Sequence, residues 1–578
     1  MIGLVSVTAA GQAAADRLAR AWPDARRYHG PAGAALPQAF KECDAIVCFL
    51  AVGATVRLLA PLLKGKHEDP GVVCVDEALR FAVPVLGAHP GGGNALARRV
   101  AETLGAEPVI TTASDAAGSV GLDEFGADLG FRVEPGSDLA AVGAAILSGA
   151  RVTFTADTEW PLPPLPPNVV RTDRPEPGVP AVVVTDHKID MTERAAVYRP
   201  PSLLVGVGAS RGAPAAEIGQ LIDGTLAELG LSPRAVRYIA TADVKADEPG
   251  LLAAAAGRGW PVVTFPAGRL AAVPVPNPSE VVRRAVGTPS VAEAAALIEP
   301  GSTLLAAKRA SAHATVAVAR CAPRGRLTVI GIGPGARDLM TPRAVAGLRR
   351  AAVVAGLDSY LDQVADLLRP GTKVLASGLG AEQERAAEAV AQARAGRAVA
   401  LIGSGDAGVY AMGSPALELA GDDIDVSVVP GVTAALAAAA VLGAPLGHDH
   451  VMISLSDLHT AWPVIERRIT AAAEGDLVTC FYNPASAKRT WQLGRALELL
   501  ATRRPPATPV GWVRDATRPE QAGSVATLAE FDPGVVDMHT LVVVGSSRTR
   551  VVGGRMVTPR DYRWAEPICP VDAIEVQT

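Results

Sequence analysis

Aromatic residues make up only 4% of this 578-residue chain, against 49% for all apolar types. Cores built from ring clusters are therefore excluded, and alanine and valine must fill the interior. Cysteine is also scarce. Its six copies (Cys43, Cys48, Cys74, Cys321, Cys480, Cys569) form no Cys-x-x-Cys pair, and no basic start followed by an apolar run opens the chain. That pattern predicts a reduced, cytoplasmic protein without a disulfide framework. Cys569 lies in Ile568-Cys-Pro-Val-Asp-Ala-Ile574, which has one corner of an iron–sulfur cluster loop but lacks the companion cysteines, so no cluster is expected. The nine histidines show no His-x-x-x-His spacing, and no protein-bound metal is predicted. No uncharged apolar run reaches the roughly 18 residues a membrane helix needs. Acids outnumber bases 59 to 54, and no Lys/Arg-rich run occurs, which argues against nucleic acid as a partner.

What the chain does have is length and punctuation. Its length predicts about three to five domains. Strand candidates at Ile2 to Val7, Ala45 to Phe49, Val72 to Val75 and Ala82 to Leu86 alternate with helical patterns, which predicts a parallel α/β sheet. The fourth runs into Gly87-Ala-His-Pro-Gly-Gly-Gly-Asn94 ahead of a helix at Ala95 to Leu104. Such a turn can offer free N–H groups to an anion, and His89 within it is a candidate for proton transfer, with Arg57, Lys64, Asp76 and Glu77 as possible helpers. Between Thr155 and Pro180 eight prolines exclude helix interior and central strand, so an extended connector is expected. A second α/β pattern begins at Leu203-Leu-Val-Gly-Val-Gly208 and ends near Val316 to Ala319. Ala322-Pro-Arg-Gly-Arg326 reads as a short joint.

Beyond that joint, four segments stand out: Val329-Ile-Gly-Ile-Gly-Pro-Gly335, Gly403-Ser-Gly-Asp-Ala-Gly-Val-Tyr410, Val428-Val-Pro-Gly-Val-Thr433 and Phe481-Tyr-Asn-Pro484. Each ends a predicted buried strand (Leu327 to Ile332, Ala398 to Ile402, Ile424 to Val429, Leu477 to Tyr482). Each also supplies glycine or proline where a ligand needs the backbone close, the pattern of an α/β ligand cleft. Any one of them alone could be an ordinary turn. Pro334 and the lack of a further glycine at the fingerprint spacing, or of a lysine, exclude a dinucleotide or phosphate-loop fingerprint.

Taken in order, these segments resemble the tetrapyrrole (class III) methyltransferases, which use S-adenosylmethionine. Ile453-Ser-Leu-Ser-Asp-Leu-His459 with Tyr482-Asn-Pro-Ala-Ser-Ala-Lys-Arg489 is similar to precorrin-3B methyltransferases acting at ring carbon 17. The resemblance spans about residues 326 to 562. It implies a methyltransferase of two α/β lobes with the cofactor in the cleft between them, held by Gly333, Pro334, Gly335, Ser404, Gly405, Asp406, Tyr410, Thr433, Ala434, Tyr482, Asn483 and Gly545. Gly545-Ser546 stands where the family has Gly-Asn. Because the family reaction also contracts the macrocycle, Asp457 and His459 are candidates for general acid or base against the plainer reading of solvated loop residues. Lys488, Arg489 and Arg514 are candidates to pair with the substrate's acetate and propionate carboxylates, against a solvated basic face.

The first half is familiar too. Ala51-Val-Gly-Ala-Thr-Val-Arg57, Asp69-Pro-Gly-Val-Val73, Gly87-Ala-His-Pro-Gly-Gly-Gly-Asn94 and Val109-Ile-Thr-Thr112 resemble the N-terminal domain of the CbiG family, which opens the lactone of cobalt-precorrin-5A and releases acetaldehyde. Val205-Gly-Val-Gly-Ala-Ser-Arg-Gly212, Ile239-Ala-Thr241 and Lys308 to Arg320 resemble that family's CobE-like C-terminal domain. The expected organisation is multidomain α/β: CbiG-like domains at 1–117, 118–198 (with the Pro-rich connector) and 199–322, a methyltransferase at 326–548 and a tail at 549–578. The resemblances imply a corrin-pathway enzyme with a precorrin-type tetrapyrrole as substrate, a homodimer through the methyltransferase half, and transfer to other enzymes of the pathway. Two alternatives stay open: a noncatalytic tetrapyrrole-binding N-terminal half, and methylation at another precorrin carbon.

Overall fold

The computed structural model describes residues 1–65, 68–88, 91–112, 117–190, 194–486 and 489–560. The chain divides into two units, Met1–Pro323 with Arg369–Thr372, and Arg324–Leu368 with Lys373–Thr578, the boundary falling in the predicted joint.

The first unit holds three sheets. Strands β1 (Ile2–Ser6), β2 (Ala25–Tyr28), β3 (Ala45–Phe49), β4 (Gly71–Val75), β5 (Phe81–Leu86) and β6 (Glu107–Pro108) form one in the order β2-β1-β3-β4-β5-β6. Alternate residues of β1, β3 and β4 face opposite sides. Leu4, Val47 and Val73 pack under helices Ala9–Ala21 and Gly93–Leu104, while Val5, Ile46 and Val72 pack with the helix Ala32–Glu42. The expected strands β1, β3 and β4 are parallel, and the unexpected β2 joins parallel to β1, but β5, the fourth expected strand, runs antiparallel to β4. Only residues 76–80 join them, far too few for a parallel crossover. Asp76 closes this short link by accepting the Phe81 N–H at 2.6 Å.

The second sheet, of β7 (Arg132–Val133), β8 (Val152–Ala156), β9 (Val169–Arg171), β10 (Ala181–Val184) and β11 (Ala195–Arg199), runs β7-β11-β10-β8-β9. Here the proline-rich stretch departs from the expected connector. It carries β9, and Trp160 and Leu162 are buried in the core of this sheet. None of the eight prolines lies in β9, whose three residues are the proline-free Val169–Arg171 at the edge of the sheet. The third sheet, of β12 (Leu203–Ala209), β13 (Val236–Ala242), β14 (Val262–Phe265), β15 (Thr303–Ala310) and β16 (Ala314–Arg320), is ordered β14-β13-β12-β16-β15. Gly206 lets the helix Ala292–Ala296 lie directly on β12, since a Cβ there would come 1.9 Å from the Ala292 carbonyl oxygen.

The second unit has two lobes. In the first, β17 (Arg326–Gly331), β18 (Val353–Leu357), β19 (Lys373–Ser377), β20 (Ala398–Gly403) and β21 (Asp425–Val429) make an all-parallel sheet ordered β19-β18-β20-β17-β21. Helix Glu382–Arg394 covers one face, and helices Pro342–Arg350 and Asp358–Val364 cover the other. Near-continuous burial of Val329, Ile330, Leu401 and Ile402 is what a sheet covered on both sides demands. After the short β22 (Gly443–Ala444), the second lobe is built on β23 (His450–Ser454), β24 (Val478–Tyr482), β25 (Pro509–Arg514), β26 (Ala522–Thr527) and β27 (Thr540–Val544), ordered β23-β24-β27-β25-β26. Here β27 is antiparallel to both its neighbours. The ends of β24 and β25 and the start of β27 therefore meet at one edge. Helices Trp462–Glu474 and Gln492–Ala501 pack on one face, and Ala434–Leu442 on the other.

Candidate functional site

The carboxyl ends of β17, β20 and β21 converge through their glycines. Gly333 and Gly405 exchange backbone hydrogen bonds of 3.0 and 2.8 Å. Their neighbours are equally close: a Cβ on Gly331 would sit 2.6 Å from the Gly405 carbonyl oxygen, and one on Gly431 only 2.1 Å from it. These glycines let three loops stack backbone on backbone. Asp406 locks the stack. Its two oxygens accept the N–H groups of Gly408 at 2.8 Å and Gly431 at 2.9 Å.

A cleft of about 210 Å³ opens beside this stack. The first lobe contributes Pro334, Tyr360, Ser404, Gly405, Val409 and Tyr410, and Thr433 and Ala434 begin the helix on the second lobe. Tyr482, Asn483, Val513, Asp515, Ala516 and Arg518 follow from the ends of β24 and β25, and Met538 to Leu541 from the start of β27. The helix Ala434–Leu442 lacks a side-chain cap from its own Thr433. Instead the Tyr482 hydroxyl accepts the Ala435 N–H at 2.9 Å and lies 2.6 Å from Thr433 Oγ1. The Tyr410 ring leans on the Tyr482 ring at 5.1 Å, and its hydroxyl donates to the Met452 carbonyl at 2.9 Å. Burial raises both phenols above the ordinary tyrosine value, and the hydrogen bonds around Tyr482 oppose the rise. Both rings therefore serve as neutral walls at neutral pH.

Backbone strain gathers here. Of the seven non-glycine residues with positive φ among those described, Tyr410, Asn483 and Asp515 line the cleft and Thr517 stands next to it. Such conformations persist only where surrounding contacts over-determine them, as at ligand sites. Thr517 Oγ1 accepts the Ala336 N–H at 3.2 Å, and Arg518 Nε donates to the Pro334 carbonyl at 3.1 Å. A loop of the second lobe is thereby pinned to the Gly-Pro-Gly loop of the first.

Of the twelve residues expected to hold a cofactor, eight line this cleft: Pro334, Ser404, Gly405, Tyr410, Thr433, Ala434, Tyr482 and Asn483. Gly333 and Gly335 shape the loop from behind, and Asp406 spends both oxygens on loop N–H groups. Gly545 lies elsewhere. It follows β27, which runs away from the cleft, so about five residues at about 3.4 Å each put it at the opposite edge of the sheet. There its carbonyl accepts from the Arg504 guanidinium, and a Cβ would meet Thr549 at 2.5 Å.

The other described candidates do not line the cleft. Asp457 and His459 are exposed on the loop after β23, Asp457 accepting from Gln492 Nε2 at 3.3 Å. Arg514 donates to the Val535 carbonyl at 2.7 Å and pairs with Asp537 at 3.0 Å. Arg489 lies on the loop after Asn483 with its Nε buried and unpaired. Lys488 and His89 fall outside the described residues. Tyr360, Asp515, Arg518 and His539 are cleft residues that motif reading missed, because the helix Asp358–Val364 and the segments before β27 and after β25 carry no glycine signature.

In the first unit, the glycines of the turn serve close packing. A Cβ on Gly71 would lie 2.2 Å from the Gly91 carbonyl oxygen, and the N–H groups of Gly93 and Asn94 donate to Gly87 and Ala88 at 2.8 Å each. Those two N–H groups are thus engaged, contrary to the expectation of free donors for an anion. The reversal of β5 also sets this turn at the start of β4, at the opposite sheet edge from Asp76 and Glu77. Arg57 donates to the Gly53 carbonyl, and Lys64, by its N–H, joins Asp69 near the turn. Asn94 is buried, with Nδ2 donating to Thr112 Oγ1 at 3.3 Å. Among the described residues Asp157, Asp186 and His187 bring possible metal ligands together, but Asp186 is bound by Arg320 at 2.6 and 2.7 Å and by Ser202 at 2.6 Å. No helix among the described residues is long and apolar enough to cross a membrane.

Comparison with known proteins agrees with this division. The family profile described as tetrapyrrole (corrin/porphyrin) methylases matches residues 326–532. Profiles described as cobalamin synthesis G N-terminal, cobalamin biosynthesis central region and cobalamin synthesis G C-terminus match 34–115, 120–200 and 203–319. A probable cobalt-factor III C(17)-methyltransferase of Salmonella typhimurium is 47% identical over 239 residues, 41% of this chain and 99% of its own. A precorrin-3B C(17)-methyltransferase of Sinorhizobium sp is 41% identical over 252 residues, 42% of this chain and 98% of its own. A cobalt-precorrin-5A hydrolase of Priestia megaterium is 34% identical over 308 residues, 50% of this chain and 82% of its own.

Proposed function

Because the chain belongs to the tetrapyrrole methylases and also carries the three domains of the cobalamin synthesis G family, we propose that it is a fused, cytoplasmic enzyme of cobalamin biosynthesis. Residues 326–548 methylate precorrin-3B, or its cobalt form, at ring carbon 17 with ring contraction. Residues 1–322 open the lactone of cobalt-precorrin-5A and release acetaldehyde. The observation that carries the methyltransferase reading is the convergence of eight motif residues on one cleft.

The cleft suits S-adenosylmethionine by its donor set. Val513, Met538 and Leu541 give an apolar wall for a flat base, while Ser404, Thr433, Asp515 and the Ala434 N–H offer hydroxyls, a carboxylate and a backbone donor for the polar ends. When bound, the cofactor supplies an electrophilic methyl group on a sulfonium. The chain's own task is positioning. The stacked glycine loops fix the floor, Tyr482 fixes the helix start, and the two packed tyrosine rings form one wall. Aligning an electrophile with an electron-rich ring carbon removes several kcal/mol, roughly, of the barrier without any acid or base. A homodimer through the methyltransferase half belongs to the same reading, and sedimentation of the full chain tests it.

The function is tested by incubating the full chain with precorrin-3B and methyl-labelled S-adenosylmethionine, and separately with the cobalt-precorrin-5A lactone. Label at carbon 17 and acetaldehyde release are the expected outcomes. Label at another carbon refutes the regiochemistry. Tight lactone binding without acetaldehyde makes the first half a carrier instead.

A further inference from the structure

We propose that Arg518 is the group that receives a ligand carboxylate in the cleft. The inference rests on the tetrapyrrole reading above, whose substrates bear acetate and propionate side chains and whose cofactor bears one carboxylate. Among the described residues lining the cleft, Arg518 is the only lysine or arginine. Its stem crosses Gly335 so closely that a Cβ there would lie 2.5 Å from Arg518 Cγ and 3.0 Å from Nε. Nε is spent on the Pro334 carbonyl. This holds the guanidinium plane at the mouth of the Gly-Pro-Gly loop before any ligand arrives.

The rest of the fork is available. Nη1 stands 3.7 Å from Asp515 Oδ1, an ion-pair distance too long for a hydrogen bond. Four of the five N–H donors of a guanidinium thus lack a close described acceptor, in the planar geometry that suits a two-point carboxylate contact. The loop that presents it is braced for precision. Asp515 and Thr517 are held at positive φ, the Arg518 N–H donates to the Asp515 carbonyl at 2.9 Å, and the Thr517 N–H donates to Gln521 Oε1 at 2.7 Å. Arg514, four residues earlier, has its guanidinium committed to Asp537 and Val535. The fork at 518 therefore takes the carboxylate role that motif reading gave to Arg514.

The test compares wild type, Arg518→Met and Arg518→Lys in the full chain, with Arg495→Met as an exposed-arginine control. S-adenosylhomocysteine binding is followed by calorimetry, and uroporphyrin III, an octacarboxylate, by quenching of tryptophan fluorescence. Methionine keeps the stem over Gly335 and removes the fork. A tenfold or greater loss of uroporphyrin affinity in Arg518→Met, partly restored in Arg518→Lys, with S-adenosylhomocysteine within twofold of wild type, assigns the fork to the substrate. The converse loss assigns it to the cofactor. Both affinities within twofold of wild type overturn the inference. If Arg518→Met does not fold, Arg518→Lys decides: a threefold or greater loss of either ligand supports the fork geometry, and no loss refutes it. Failure of wild type to bind either ligand refutes the underlying functional reading instead.

Discussion

The hydroxyl of Tyr482, at the end of β24, lies 2.6 Å from that of Thr433, and the same phenolic oxygen caps the helix that Thr433 precedes. One side chain thereby does two things: it satisfies a helix N–H, and it fixes the wall of the cleft. Replacing Tyr482 with phenylalanine keeps the ring and removes both bonds. We expect a stability loss of about 1 kcal/mol and S-adenosylhomocysteine binding weakened about fivefold, read by thermal unfolding and calorimetry.

Asp406 makes a separate prediction. Its oxygens hold Gly408 and Gly431 and do not line the cleft. Asp406→Ala should therefore cost about 1–3 kcal/mol in urea unfolding. Any affinity lost for S-adenosylhomocysteine should return when an osmolyte restores the fold. A variant of wild-type stability with no ligand binding would instead make Asp406 a direct contact.

Gly545 and Gly335 should respond differently to the same change. Gly545→Ala forces a Cβ against Thr549, and Gly335→Ala forces one against Arg518. Both are expected to lose about 1–3 kcal/mol by overpacking. Only Gly335→Ala should alter the binding of cleft ligands, because Gly545 lies a strand length away. Calorimetry on the pair checks this.

In the first unit, Glu217 holds the turn between β15 and β16. It accepts from the Ser311 hydroxyl, then from the N–H of His313, and meets that histidine's Nδ1 at 3.0 Å. The Ser311 contact leads in depressing its pKa from 4.5 to about 2. A depressed carboxylate stabilises the fold above its unfolded value and loses that contribution as pH falls through the folded one. Wild type should therefore exceed Glu217→Gln in urea midpoint at pH 7, and the gap should close between pH 4.5 and 2.

Much of this fold is written in local pattern. The expected strand Ala398 to Ile402 is observed as Ala398–Gly403, and Leu477 to Tyr482 as Val478–Tyr482. Unbroken apolar runs stopped by glycine or asparagine-proline mark buried strands and their ends unambiguously. Strand direction is less visible. The reversal of β27 sends Gly545 away from the cleft and brings Met538 to Leu541 into it, and nothing within those residues announces which way the strand runs. The reversal of β5 was legible in principle, since five linking residues forbid a crossover. The proline-rich stretch misled because its prolines leave a gap at residues 168–174, in which the short edge strand β9 forms without any proline. Arg518 escaped notice because its role depends on a partner 184 residues away, the Pro334 carbonyl.

The contact of Arg518 with Gly335 also has an evolutionary face. Gly335 is constrained twice: a side chain there would displace the arginine stem, and its φ of 153° would strain any other residue even with a shorter side chain at 518. Across homologous chains the arginine should therefore occur only beside a glycine at this position, while the glycine should persist in lineages that have lost the arginine.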